Sequence, residues 1–523
     1  MLNLHIILLM KRNFAKNAII LCCLMMISKA IGALFRLPLT WIVGAEGLGL
    51  YQIVFPVYTL ILTLTSAYIP QTLSRLVAEN NAKNNFSRSQ QLYIIANILV
   101  LLLSIIGAVL ISIFARNIAG LQGNYGAKVC YFAIAPAIIF VGAISTLRGY
   151  FQGCEMMIPT GVVSLIEQAI KAVAGLILAK AFIVWGVVWG VFGALLGITI
   201  SEIVAFIYLY VSYFITRRKT KFKVSRADVK PCLKLIASTC WPIALSGLIM
   251  PLVAFIDSAL VVNLLSRTLE TSEATAQFGL SSGIIGSLIN LPVVLSLSVA
   301  MAVLPRLTSC NVKQNVAEVK RTVTSALFIT LTLTLPCALG FVFLSKNIII
   351  LLYGNSLTSS HIVLASTLLR VGAVSVIFLA ATQVLSSVLQ GLGRLIIPLV
   401  ALVFAGLVKI AVNYFLIPTA AFGILGDQVA NIACYVVATV INLCFAVRFI
   451  NKSILIDLLK LILAGSAMCG IVSVILGVSG LSNIIEIGLS VVGAAVVYFG
   501  ILAMLYRKQL ILFINNRKGK QIM

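Results

Sequence analysis

Positively charged side chains stand inside long apolar stretches of this 523-residue chain. Lys29 and Arg36 are seven residues apart, about two turns of an α-helix, and therefore share one face. A charge at the centre of a membrane-spanning helix costs about 2.5–3.5 kcal/mol, so each one requires a specific role. Ammonium and guanidinium groups are natural partners of phosphate oxygens. We expect both residues to line a polar cavity that receives an anion; alternatively, Arg36 reaches outward to water beside Pro38.

Two further lysines belong to a sequence pattern that occurs twice. The pattern comprises a Gln-Gly turn, a helix-starting proline, a lysine deep in that helix and an aromatic–glycine pair: Gln152-Gly153, Pro159, Lys171 and Phe192-Gly193 in one copy, and Gln390-Gly391, Pro398, Lys409 and Phe422-Gly423 in the other. Each lysine follows its proline by eleven or twelve residues, which predicts a position near the membrane midplane. A polytopic chain built from two related halves is typical of a carrier with one central site.

The acidic residues within the apolar stretches are few. Glu167 precedes Lys171 by four residues and can pair with it on one helix face, which makes that pair either structural or functional. Lys409 has no acid within one turn, so it is expected to await an anion or a distant carboxylate such as Glu202. Arg75 is either a cavity residue or a cytoplasmic anchor. The remaining candidates for a cavity or a coupling site are Glu202, Asp257 and Arg370.

The elements that must position these residues are membrane helices. The chain is 61% hydrophobic and 10% charged, with mean hydropathy +1.14, so the bilayer is its solvent. Apolar runs of about 20 residues or more predict an all-α polytopic protein with about fourteen transmembrane helices. The predicted spans are 17–42, 49–74, 91–115, 127–149, 158–181, 185–214, 235–263, 276–304, 322–344, 362–389, 395–417, 423–449, 455–478 and 484–506.

The net charge of +25 follows the topology. Lys and Arg cluster on one side of the alternating helices, whereas the intervening loops, to which we assign Asp427, hold few cations. The positive-inside rule places both termini and a basic linker in the cytoplasm. No nucleic-acid-binding module accompanies the charge. The expected organisation is a cytoplasmic N-terminus (1–16), an N-lobe of six helices (17–216), the linker (217–234), a C-lobe of six helices (235–450), a helix pair (451–506) and a basic tail (507–523).

Three further features carry little functional information. Met10-Lys11-Arg12 resembles a natural start, so residues 1–9 are a candidate N-terminal extension, and the order of their charges does not fit a signal peptide. The eleven cysteines, which show no CxxC spacing, are expected to be small buried apolar residues. His5 and His361 offer no metal site, and no motif calls for a cofactor.

Several segments resemble the stage V sporulation protein B family of the multidrug/oligosaccharidyl-lipid/polysaccharide flippase superfamily. They are 27–39 (Ile-Ser-Lys-Ala-Ile-Gly-Ala-Leu-Phe-Arg-Leu-Pro-Leu), 47–51 (Gly-Leu-Gly-Leu-Tyr), 70–79, which ends in Ser-Arg-Leu-Val-Ala-Glu, Phe278-Gly279, 288–292 (Leu-Ile-Asn-Leu-Pro) and 304–306 (Leu-Pro-Arg). The resemblance implies two pseudo-symmetric six-helix lobes plus a C-terminal pair. It also implies that Lys29, Arg36 and Arg75 match cavity arginines of related lipid II flippases, although the first is Lys and the spacing to Arg36 is one residue longer.

The resemblance implies a transporter of the bacterial cytoplasmic (inner) membrane that flips an undecaprenyl-diphosphate-linked sugar from the inner to the outer leaflet by alternating access. A peptidoglycan precursor such as lipid II, including one for the spore cortex, is the leading cargo, and cell-wall synthesis machinery is the expected partner. The alternatives are a flippase for another polysaccharide unit or a drug or cation antiporter of the same fold. A membrane glycan polymerase or glycosyltransferase would need catalytic carboxylates in a sizeable loop. A silent scaffold would not bury Lys29 and Lys409.

Overall fold

The computed structural model describes residues 14–216, 226–312, 314–477 and 483–507, and every regular element in these ranges is a helix. The predicted all-α class is therefore confirmed. The candidate N-terminal extension, residues 217–225 of the predicted linker and the tail after residue 507 lie outside the described residues.

The chain divides into two compact units, 1–283 and 284–523. The predicted lobe boundary at the basic linker stays a prediction. The division into compact units falls at a different place, within the eighth predicted span. The helices of the first unit are α1 (Phe14–Leu34), α2 (Arg36–Thr65), α3 (Ile69–Ala82), α4 (Phe86–Ile113), α5 (Ala115–Leu121), α6 (Ala127–Gly153), α7 (Met157–Phe182), α8 (Val187–Thr216), α9 (Arg226–Gly247), α10 (Ile249–Leu265) and α11 (Thr271–Phe278).

The second unit begins with a helix that continues from the short π-helical segment Gly279–Ile285. Its helices are α12 (Gly286–Val312), α13 (Val316–Tyr353), α14 (Ser359–Gly391), α15 (Ile396–Leu416), α16 (Leu425–Ala446), α17 (Ser453–Leu476) and α18 (Asn483–Leu505). One apolar core joins α12, α13 and α14 around Leu307 and Val388. A second core joins α13 to the C-terminal pair α17–α18 around Met468 and Tyr498.

Within the described residues, twelve helical stretches are long and apolar enough to cross a membrane. The first of them, Leu24–Ala82, contains parts of three helices, and Ile249–Leu265 is a shorter apolar helix. The exact count of fourteen is therefore not confirmed. The break predicted between the first two spans coincides with Gly44, where α2 has non-helical dihedral angles (φ 70°, ψ −171°) that suit only glycine.

The surface of α4 shows why water cannot be the solvent of this chain. Ile98, Leu102, Ile106, Val109 and Ile113 recur every three or four residues and are 49–66% exposed. A stripe of this length on a helix without charges from 89 to 113 matches the hydrocarbon layer of a bilayer. The chain is a multi-pass membrane protein.

Both copies of the predicted repeat turn adopt the same conformation. α6 ends at Gly153 and α14 ends at Gly391, and a left-handed residue follows each end, Glu155 at φ 61° and Gly393 at φ 79°. The aromatic–glycine pairs do not occupy matching places, however. Gly193 lies inside α8 against the carbonyl of Leu178, whereas Gly423 is left-handed and precedes α16.

A second pair of matching turns escaped the sequence comparison. Asn84 (φ 57°) precedes Asn85, whose side chain accepts a hydrogen bond of 3.1 Å from the backbone N–H of Arg88 at the start of α4. At the start of α13, Gln314 (φ 53°) precedes Asn315, which accepts an equivalent 3.1 Å bond from the N–H of Glu318. Each asparagine satisfies one of the donors that a helix start leaves without an internal partner.

Candidate functional site

Two glycines bring α7 and α8 into contact in the first unit. A Cβ added at Gly197 would lie 2.3 Å from the Cα of Gly175, so the two backbones touch where only hydrogen fits. Lys171 lies one turn before Gly175, and Glu202 lies about one turn after Gly197. Because α7 and α8 run antiparallel through a short connection, these two charged residues lie on the same side of the contact, close enough for their charges to interact.

The carboxylate of Glu167 is held by an arginine from α6. Arg148 donates from Nη2 to both carboxylate oxygens of Glu167 at 2.6 Å, and the hydroxyl of Ser164 lies 3.4 Å from the same nitrogen. The side chains are 26% and 11% exposed, respectively. Glu167 thus has an interhelical partner, Arg148, that the i,i+4 spacing did not predict, and its pairing with Lys171 stays a prediction.

The ammonium group of Lys171 lies near an amide oxygen and an aromatic ring. It is 3.4 Å from the amide oxygen of Gln168 and 5.5 Å from the centre of the Phe35 ring, a cation–π distance. Phe35 is buried at the junction of α1 and α2, next to Arg36. Arg36 is partly buried, and its charge acts on Lys171.

These residues form one group in the first unit, which we name the N-unit charge cluster. It comprises Arg36, Arg148, Glu167, Lys171 and Glu202. The carboxyl group of Glu202 interacts electrostatically with Glu167, Arg148 and Lys171. Three cations against two carboxylates leave an excess positive charge within membrane-spanning helices, which suits an incoming anion.

Arg148 is the cluster member that sequence reasoning missed. It stands five residues before the end of α6, just before the Gln152-Gly153 turn that we interpreted only as part of a repeat. The available signal was its position within an apolar run that ends in a buried aromatic, Phe151.

The second unit contains a different buried ion pair. The Nζ of Lys409 on α15 lies 3.7 Å from a carboxylate oxygen of Asp427, and the side chains are 13% and 1% exposed. Asp427 is the third residue of α16, so its assignment to an intervening loop is wrong. The acid that the sequence did not supply on the same helix comes from the next one.

The other predicted residues lie on α1, α3, α10 and α14. Lys29 and Arg370 are exposed on α1 and α14. Arg75 is 72% exposed and pairs with Glu79 one turn later at 3.1 Å. Asp257 is 6% exposed on α10. Their proposed substrate contacts stay predictions.

No group of three His, Cys, Asp or Glu residues within the described ranges is placed to hold a metal ion.

Residues 14–311 match the family model described as polysaccharide biosynthesis protein, and residues 242–415 match the MatE model.

Stage V sporulation protein B of Bacillus subtilis (strain 168) is 24% identical over 470 residues, covering 88% of this chain and 89% of that protein. Lipid II flippase MurJ of the same organism is 24% identical over 414 residues, covering 75% of each chain. A solved structure of the lipid II flippase MurJ in an inward closed conformation shares the fold, with a TM-score of 0.72 at 19% identity, over 94% of this chain and all of that one. Since the first family model spans more than half of its length, this chain belongs to the polysaccharide biosynthesis protein family.

Proposed function

We propose that the protein transports a lipid-linked glycan across the membrane and is not an enzyme. The observation that carries this proposal is the N-unit charge cluster, in which Arg36, Arg148 and Lys171 exceed the nearby carboxylates in number. A phosphate or diphosphate that links a glycan to its lipid is an anion with several acceptor oxygens, and guanidinium and ammonium groups recognise it well. Stage V sporulation protein B and lipid II flippase MurJ are its similar relatives.

The cargo we infer is an undecaprenyl-diphosphate-linked sugar, with a peptidoglycan precursor such as lipid II as the first choice. The diphosphate would contact Arg36 and Lys171, while the polyprenyl tail stays in the bilayer. Lys29, Arg75 and Lys409 remain proposed contacts at other stages of transport. Cell-wall synthesis enzymes would receive the cargo.

The direction we infer is from the inner to the outer leaflet of the cytoplasmic membrane, by alternating access. A membrane potential, negative inside, favours outward movement of an anion by about 2.3 kcal/mol per charge per 100 mV. An anionic headgroup therefore needs no hydrolysis of a nucleotide to move in this direction.

Depletion of the protein from its native cell tests the proposal. The lipid-linked precursor that it carries should accumulate in the cytoplasmic leaflet, where extraction and mass spectrometry identify it. The variant Arg36→Ala should fail to restore export in depleted cells, with normal abundance in the membrane, because a lost phosphate contact need not unfold the helices.

Arg448→Ala is the matched control. Arg448 is an exposed arginine stacked on Phe449 at the end of α16, outside the charge cluster, and its loss removes the same charge from the chain. Equal failure of Arg36→Ala and Arg448→Ala, or no change in any lipid-linked precursor on depletion, would contradict the proposed function.

An exporter of organic cations is the second candidate. It is favoured by the match to the MatE model and by the two carboxylates, Glu167 and Glu202, inside the membrane spans. Under this alternative, depletion would raise the sensitivity of cells to cationic drugs without accumulation of a lipid-linked precursor.

A further inference from the structure

A groove of about 640 Å³ lies between α12 and α13 in the second unit. Its walls are apolar along most of their length, formed by residues such as Val299, Val303 and Ile329. Arg306 and Arg321 line it near the turn that joins the two helices. The volume is that of a small-molecule site.

The groove is open because bulky residues of the first unit have smaller or charged counterparts here. Gly153 packs on Ser74 and Val77 of α3, and Gly391 packs on Leu304 and Leu307 of α12, which sets the correspondence of α3 with α12.

The matching asparagine caps set the correspondence of α4 with α13. In this register, the buried leucines of the first unit correspond to different residues in the second: Leu73 to Val303, Leu76 to Arg306 and Leu92 to Thr322. In the first unit the three leucines fill the interhelical space as part of an apolar core.

One polar atom in the groove wall is unsatisfied. The hydroxyl of Thr322, on a side chain only 6% exposed, has no hydrogen-bond partner within the described residues. Neighbouring threonines of α13 bond to the carbonyl four residues earlier, Thr324 to Lys320 and Thr330 to Ala326, both at 2.8 Å. A buried hydroxyl left without this bond is costly unless a ligand supplies an acceptor.

The two arginines that line the groove differ in their ion pairs. Arg306 lies 3.7 Å from Glu318, a distance at the limit of an ion pair, and both side chains are exposed to solvent. Arg321 makes no ion pair or hydrogen bond among the described residues. The basic end of the groove therefore contains the guanidinium of Arg321, which has no ion pair or hydrogen bond among the described residues, next to Thr322 in the chain.

We propose that this groove binds an anionic phospholipid of the surrounding membrane, with its phosphate at Arg321, Arg306 and Thr322 and an acyl chain along the apolar wall. Basic pockets between transmembrane helices on the cytoplasmic side are suited to such head groups. The positive-inside rule puts this end of α12 and α13 on that side. The ligand is a structural or regulatory lipid rather than transported cargo, so the inference does not depend on the proposed function.

Native mass spectrometry of the full-length protein with phosphatidylglycerol tests the inference. The Kd for the tightest-bound lipid should rise about tenfold in Arg321→Ala, because a charge-assisted contact is lost. Thr322→Leu restores the leucine of the first unit and should also reduce binding, although every charge is retained. Phosphatidylcholine, which has no net charge, should bind the unaltered protein more weakly than phosphatidylglycerol.

Lys320→Ala is the matched control. Lys320 carries the same charge as Arg321 and is its neighbour in the chain, but it does not line the groove. Its Kd should change less than about twofold. Equal losses in Lys320→Ala and Arg321→Ala would reduce the effect to general attraction, and full binding in Thr322→Leu would place the lipid elsewhere. Displacement of phosphatidylglycerol by equimolar undecaprenyl phosphate would assign the groove to a polyprenyl lipid and overturn the phospholipid proposal. Circular dichroism melting confirms that each variant is folded.

Discussion

At the scale of single residues, two ion pairs in the membrane spans cross from one helix to another. Arg148 reaches from α6 to Glu167 on α7, and Lys409 reaches from α15 to Asp427 on α16. The desolvation cost of such pairs is high, so the loss of one partner is worse than the loss of both.

Glu167→Gln is therefore expected to destabilise the protein, by about 1–3 kcal/mol, because it leaves the Arg148 guanidinium largely buried beside a neutral amide. The measurement is the midpoint of thermal unfolding in detergent. The double variant Glu167→Gln/Arg148→Gln should recover part of the loss. An unchanged midpoint in the single variant would show that the pair adds nothing to stability.

Lys409→Met is expected to act in the same way, because Lys409 is also paired with an acid on another helix. The single variant strands the carboxylate of Asp427, which is 1% exposed, and should lower both stability and transport. Lys409→Met/Asp427→Asn removes both charges and should regain stability. If this double variant also restores export in depleted cells, Lys409 is structural; if it folds but fails to export, the lysine contacts the cargo.

Sequence spacing predicted which lysines are functional candidates but not their partners. The i,i+4 rule pointed from Lys171 to Glu167, yet Glu167 bonds to an arginine nineteen residues earlier in the chain. Local spacing describes neighbours on one helix, whereas the strongest electrostatic contacts here depend on which helices pack together, and that arises from tertiary structure.

At the scale of the elements, close approach of α7 and α8 depends on glycine. The contact of Gly175 with Gly197 lies between the two segments that carry Lys171 and Glu202. Any side chain here would separate the helices and move both charged groups.

Gly197→Val is therefore expected to lower both the unfolding midpoint and export. Gly470→Val is the matched control, because a Cβ added at Gly470 on α17 meets no atom within 4 Å. Both changes place the same β-branched residue in a helix, so they share any loss of helix propensity. Equal effects of the two variants would exclude packing at Gly197 as the cause.

The turns divide into those that sequence can reveal and those that it cannot. The Gln-Gly turns were visible because a glycine and a following proline recur together. The capped turns at Asn84 and Gln314 were not visible, because Asn84-Asn85-Phe86 and Gln314-Asn315-Val316 share only one residue. Their likeness lies in the backbone angles and in one side-chain hydrogen bond.

At the scale of the whole molecule, the distribution of lysine and arginine predicts the orientation in the membrane. Cysteine accessibility tests this orientation in a cysteine-free background. A cysteine at Ser225, in the predicted cytoplasmic linker, should react with a membrane-impermeant maleimide only after the cells are opened. A cysteine at Thr268, in a predicted outer loop, should react in intact cells. Reaction of Ser225→Cys from outside would contradict the topology.

Hydropathy anticipated the helical class and most spans. The lobe boundary expected at the basic linker stays a prediction, and the division into compact units between Gly283 and Ile284 has no counterpart in the hydropathy pattern. The reason is that α11 packs tightly on α2: a Cβ at Gly49 would lie 2.0 Å from the carbonyl oxygen of Thr275. Contacts of this kind connect distant parts of the chain and leave no periodic signal.

The turns at Asn84 and Gln314 are also equivalent in structure. A left-handed residue followed by a capping asparagine defines the same backbone path in both places, although the helices that follow differ, with Leu92 in one unit and Thr322 in the other. The two tripeptides are therefore interchangeable parts, and a chimaera that exchanges them should keep both hairpins. The two turns thus share one backbone path, whereas the interiors of the two units differ, with a charge cluster in the first and an open groove in the second.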